Sequence, residues 1–251
     1  MAPNTLSFLG TIQRHYKQKN KKIEEKTTRK RISEMDGEGG FEDAVSESVG
    51  SPLSAIAEAF EDLSDLLKSR GGVKFDLDLK SFCDACSLVS VLFGCLGIAF
   101  KFAEMEYVSK VQDLKGASEE YSTLNNVLDY DVEMDTVKSA GSLSRNLRRV
   151  RQGLDLIRAL FQNFLSTDEC SLKEAASTAY AKVCAPYHTW AIRTAVSAGM
   201  YALPTREQLL ERLNETKESA EKEMRRYIEA SRPVIEYIDM LYISRNISLD
   251  W

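Results

Sequence analysis

From Ser51 onward, apolar residues recur along the chain with the spacing of a helix. Ser51-Pro52 has the form of an N-cap followed by proline at the first helical position, and Ile56, Phe60, Leu63, Leu66 and Leu67 then fall on one face. No proline lies between Pro52 and Pro186, so long helices can run without interruption. Leu88–Phe100 reads as a nearly continuous apolar helix that passes straight into the charged segment Lys101–Lys110. Arg145–Phe164 sets Leu147, Val150, Leu154, Ile157, Leu160 and Phe161 on one face. Ser171-x-x-Glu174 and Thr205-x-x-Gln208 predict capping boxes that start further helices. A helix after Tyr187 is expected to end around Ala198-Gly199 and Leu203-Pro204. Val234–Tyr242 predicts a last helix before Leu249-Asp-Trp251. No strand–turn–strand pattern and no internal repeat interrupts this sequence of helices, so the expected fold class is all-α.

Composition refines the picture at a few points. The 251 residues are 43% hydrophobic and 28% charged, ordinary for a globular chain and enough for one large domain or two small ones. The net charge of −5 argues against nucleic acid as a partner, so any anion site must be a local patch. Ala85–Phe100 carries no charge but falls short of the about 18–20 residues a membrane span needs. It is expected to be buried inside the fold. Residues 1–50 divide into a basic part, Lys17–Arg31, and an acidic part, Glu34–Glu47, both poor in apolar residues. They are expected to form a disordered tail, whose basic half is a solvated segment, a targeting signal or a membrane tether. No signal peptide is visible at the start, and a cytoplasmic location is the default expectation. Cys83-x-x-Cys86 lacks the second cysteine or histidine pair of a metal site, so both are expected to be reduced core thiols.

The candidate chemistry is a cluster of charges. Glu106 and Lys110 are four residues apart, a favourable helical ion pair. Arg145 and Arg149 share that spacing but repel, which asks for an anion or water between them. His188 follows Pro186 and precedes an apolar helix, where a neutral imidazole can donate one N–H to a ligand oxygen. There is no metal-ligand spacing, nucleophile elbow or glycine-rich phosphate loop, so neither an enzyme nor a cofactor is expected. An oily helix beside three cations, a carboxylate and an imidazole suits an amphiphile with a phosphate head.

The segments Phe82–Ser90, Leu92–Met105, Ala140-Gly-Ser142, Arg145–Arg149, Ala185–Arg193, Ala195–Thr205 and Leu249–Trp251 resemble the glycolipid transfer protein superfamily. Within it they look most like the ceramide-1-phosphate branch and its plant accelerated-cell-death type. The resemblance covers residues 52–251, in order. It implies a domain over residues 51–251 built as a two-layer helical sandwich around a hydrophobic sleeve for lipid chains. It further implies a carrier that moves sphingolipids between membranes without chemistry, peripheral at the bilayer, with a link to cell death or defence. Lys110, Arg145 and Arg149 match the cations that hold the phosphate, and His188 matches the histidine on the amide carbonyl. Trp190 matches a residue that docks on membranes. The glycolipid branch carries Asn and Trp where this chain has Lys110 and the arginine helix, so phosphate is favoured over sugar. Glu106 departs from the pattern: it stands where the family has an Asp that bonds the sphingoid amide N–H. Burying a chain of about 16 methylenes supplies roughly 13 kcal/mol, a driving force blind to the head group. Selectivity must then come from the charged residues. Other expectations consistent with the resemblance are a carrier of another sphingolipid or glycolipid, and a lipid-gated interaction module.

Overall fold

The structure, a computed structural model, describes residues 51–69, 76–97, 100–166 and 171–251. The expectations for residues 1–50 lie outside the described residues. Every described α-helix except α3 begins at a side chain that satisfies one of its free N–H groups. Helix α1 (Pro52–Ser69) is capped by Ser51, whose Oγ accepts from the Ser54 N–H at 3.2 Å. Helix α2 (Leu79–Cys95) is capped by Asp78, and α3 (Lys101–Ala117) follows. Thr123 caps α4 (Leu124–Glu133) and Ser142 caps α5 (Leu143–Phe164). The predicted box of Ser171 and Glu174 opens α6 (Leu172–Val183). A 3₁₀ turn, Ala185–Tyr187, leads to α7 (Trp190–Gly199) and a second turn, Met200–Ala202. The predicted box of Thr205 and Gln208 opens α8 (Arg206–Leu213). A further box of Thr216 and Ser219 opens α9 (Lys217–Ile243). Among the described residues the only β pairing is one isolated bridge, Asp78 to Thr123.

Two expectations are corrected. Leu88–Phe100 is not one helix: α2 stops at Cys95, Gly97 takes φ 91°, and Phe100 stands at the N-cap position of α3 without a side-chain cap bond. A glycine in the left-handed region is a strong helix stop, and the surrounding apolar residues masked it. Nor is that stretch wholly buried, since Leu88 and Val91 face outward. The last helix begins at Lys217, well before Val234. Pro233 sits inside α9, where it removes the N–H that would reach the Glu229 carbonyl. Burial of Met224, Tyr227, Val234, Ile235 and Ile238 on both sides of the proline holds the helix through it.

Helix α5 lies at the centre, packed on α3, α6 and α9, while α1 packs on α9 and α2. All six apolar residues predicted for the inner face of α5 are buried. Tyr227 of α9 meets Phe60 of α1 and Phe161 of α5 edge-on, with ring centroids 5.1 and 5.7 Å apart. Helices α3 and α5 cross at Gly153, where a Cβ would lie 2.5 Å from the Tyr107 ring. Cys83 and Cys86 are free and buried, and burial pushes the Cys83 thiol up to about 12, an inert core thiol. No described helix is long and apolar enough to cross a membrane.

Candidate functional site

Helix α5 carries arginines on two faces, and their partners differ. Arg148, only 3% exposed, and Arg151 both reach Asp239 of α9, at 3.3 and 2.6 Å. Arg151 also pairs with Asp155 at 2.7 Å. These are structural charges, neutralised where they are buried. Arg148 further donates to the Leu249 carbonyl at 2.7 Å, which ties the C-terminal residues down onto α5.

Arg145 and Arg149 lie on the other face. Arg145 donates to the Lys138 carbonyl at 2.8 Å, and Arg149 donates to Gln152 Oε1 at 2.6 Å. Among the described residues neither forms an ion pair; both rest on neutral acceptors. Burial, followed by the charges of Arg145 and Arg148, lowers the Arg149 pKa below its ordinary value, while Glu106 acts in the opposite sense. The guanidinium stays charged at neutral pH, so this is a crowded positive field with little internal counter-charge. An anion placed there would relieve the repulsion.

The neighbouring elements complete the cluster. Helix α3, packed on α5, supplies Glu106 and Lys110, 3.7 Å apart, with Glu106 78% exposed and Lys110 only 25%. Exposure of that order makes the pair a weak contact. Behind the 3₁₀ turn, His188 is partly buried, and burial, then the Arg149 charge, pulls its pKa down. The ring is therefore neutral at physiological pH. Its Nδ1 lies 2.9 Å from the Tyr180 hydroxyl. Arg149 thus lies within electrostatic reach of Arg145, Glu106 and His188, and Glu106 of Lys110 at 3.7 Å.

Trp190 opens α7 two residues beyond His188 and is 73% exposed. The apolar character expected of this helix does not bury it: none of its residues is buried, and Ile192 and Tyr201 are also exposed. Sequence reasoning missed Gln152 and Tyr180, which hold Arg149 and His188. Gln152 sits three residues after Arg149, a helical neighbour that could have been found. Tyr180 is brought to His188 by the turn at Ala185–Tyr187, which no periodicity foretells.

Phe93, Leu96, Leu156, Leu160, Ala176, Tyr180 and Met200 line an apolar cavity of about 20 Å3, hardly more than one water needs. A lipid chain could occupy this place only if its walls part. A much larger groove of about 800 Å3 runs between α1 and α9, but charged pairs such as Arg226 with Glu61 line it, and it holds none of the predicted site residues.

A sequence profile of the glycolipid transfer protein family (GLTP) matches residues 77–215. An Arabidopsis thaliana protein described as an ACD11 homologue is 65% identical over 224 residues, covering 87% of this chain and 98% of its own. Accelerated cell death 11 of the same plant is 49% identical over 201 residues, covering 80% of this chain and 96% of its own. The crystal structure of a point variant of Arabidopsis ACD11 with C12 ceramide-1-phosphate superposes with a TM-score of 0.78. It is 47% identical and covers 81% of this chain and 100% of its own. The all-α fold seen here is thus the two-layer GLTP fold, and this chain belongs to the glycolipid transfer protein family.

Proposed function

We propose that the chain carries ceramide-1-phosphate between membranes, as a binder and not as a catalyst. The observation that carries this reading is the pair Arg145 and Arg149, charged, half-buried and resting on neutral acceptors, beside the neutral imidazole of His188. Lys110, Arg145 and Arg149 hold the phosphate, His188 donates to the amide carbonyl, and Glu106 accepts from the amide N–H. Residues 51–251 form the transfer domain, with 1–50 outside it. Trp190 and the exposed α7 meet the bilayer from the cytoplasm, where the protein is peripheral. The ceramide-1-phosphate found in Arabidopsis ACD11, and that protein's name, support both the ligand and a link to cell death.

Transfer of fluorescent ceramide-1-phosphate between vesicles tests the reading. Arg145→Ala or Arg149→Ala removes a charge-assisted bond of about 1.5–3 kcal/mol, so transfer should fall tenfold or more with Tm nearly unchanged. Arg148→Ala should do the reverse and lower Tm, because it leaves Asp239 to Arg151 alone and frees the Leu249 carbonyl that Arg148 holds at the C-terminus. Wild-type transfer by both Arg145→Ala and Arg149→Ala would sink the assignment.

A further inference from the structure

We propose that Tyr180 is a positioning residue for His188: its hydroxyl donates to Nδ1 and so fixes the imidazole proton on Nε2, the nitrogen left to donate to the lipid. The inference rests on the reading above, in which His188 bonds the amide carbonyl. The Tyr180 oxygen lies 2.9 Å from Nδ1, with the two ring centroids 5.6 Å apart. One of the two groups donates and the other accepts. A phenol O–H, with an ordinary pKa of about 10, is a far stronger donor than the N–H of a neutral imidazole, whose bare nitrogen is the stronger acceptor. The hydroxyl therefore donates, Nδ1 stays bare, and the single proton of the neutral ring resides on Nε2.

The direction of the hydroxyl is itself fixed. Tyr180 lies one turn after Ala176 on α6, and both line the closed apolar cavity with Phe93, Leu156 and Leu160. Packing there supports the phenol ring, and its oxygen points to the turn that bears His188, 2.9 Å from Nδ1. On the other side, the His188 backbone N–H is held by the Ala185 carbonyl at 3.2 Å. The tautomer matters because a carbonyl oxygen needs an N–H. With the proton on Nδ1, the ring would turn a lone pair toward the amide carbonyl, and the bond would be replaced by repulsion. Burial and the adjacent Arg149 both keep the ring neutral, the state in which a tautomer exists to be chosen.

The experiment is long-range ¹H–¹⁵N NMR on the full, lipid-free chain labelled at histidine, with His188→Gln to assign the signals of the two histidines. Wild type should show a bare Nδ1 and a protonated Nε2. Tyr180→Phe keeps the ring in the cavity wall and deletes the hydroxyl; it should give mixed tautomers. The same variant should bind ceramide-1-phosphate roughly three- to tenfold more weakly, the loss of one hydrogen bond. Its affinity for phosphatidic acid, which presents the phosphate without an amide, should stay as in wild type. Protonated Nδ1 in wild type, an unchanged tautomer in Tyr180→Phe, or equal weakening for both lipids overturns the proposal. Because the tautomer is read without ligand, its outcome is separate from the carrier reading: a wild-type chain that ignores ceramide-1-phosphate removes the role of this proton even where the NMR agrees.

Discussion

The Glu106 carboxylate lies 3.7 Å from Lys110 on a side chain that is 78% exposed, and it is one methylene longer than the Asp the family pattern implies. An exposed pair of this kind is worth about 0.3–0.5 kcal/mol, too little to govern lipid affinity. An acceptor for the sphingoid amide is worth more and is selective. Glu106→Gln should therefore weaken ceramide-1-phosphate and leave phosphatidic acid unchanged, while Glu106→Asp should match or exceed wild type; titration of each variant with both lipids checks this. Equal losses for the two lipids would reduce Glu106 to a partner of Lys110. At this scale the sequence was informative wherever spacing carries the meaning. Arg145 and Arg149 stood out because like charges one turn apart repel. The sequence could not separate them from Arg148, one position away. Only the fold shows that Arg148 meets Asp239 while Arg145 and Arg149 meet no carboxylate among the described residues.

Between elements, the crossing of α3 and α5 decides whether Glu106 and Lys110 stand beside the arginines. Gly153 makes that approach possible, and Tyr107 lies directly over it, pinned by its hydrogen bond to the Cys86 carbonyl at 3.0 Å and by the Phe93 ring. Gly153→Ala would gain about 1 kcal/mol of helix propensity but place a methyl 2.5 Å from a ring that cannot retreat, an overpacking cost of about 1–3 kcal/mol. The clash should win: Tm falls by a few degrees and ceramide-1-phosphate binding weakens as α3 shifts. Gly116→Ala, on the same α3 with nothing within 4 Å, should raise Tm slightly and leave binding alone. Calorimetry with lipid titration measures both, and equal effects of the two substitutions would sink the argument. The caps at Ser51, Ser171 and Thr205 and the inner face of α5 were legible because caps and apolar periodicity are local, whereas α4 and the Thr216 box were not anticipated. Nor were the break at Gly97 and the continuation through Pro233. Each depends on what the flanking turns pack against, which overrides the local rule.

At the scale of the whole molecule, the all-α class followed from periodicity and from the lack of strand signals. The state of the sleeve did not, because apolar positions show which faces meet and not whether they part. The cavity between Phe93 of α2, Leu156 and Leu160 of α5 and Ala176 of α6 measures only about 20 Å3, too small for a lipid chain unless these walls part. Loading then sets roughly 13 kcal/mol from a chain of about 16 methylenes against the dispersion attraction between walls that must separate. A side chain already inside the cavity competes with the lipid at the high effective concentration of a tethered group. Ala176, buried in the wall beside Tyr180, offers the place to put one. Ala176→Leu should cost about 1–3 kcal/mol of overpacking, lowering Tm by a few degrees, and should reduce transfer of long-chain ceramide-1-phosphate at least tenfold. Arg145, Arg149 and His188 are untouched by this change, so a ceramide-1-phosphate with a two-carbon acyl chain should lose less than the long-chain form. Vesicle transfer with the two lipids, run beside calorimetry, separates a blocked sleeve from a misfolded protein. If Ala176→Leu moves the long-chain lipid at the wild-type rate, the chain is housed elsewhere, and this cavity is only core.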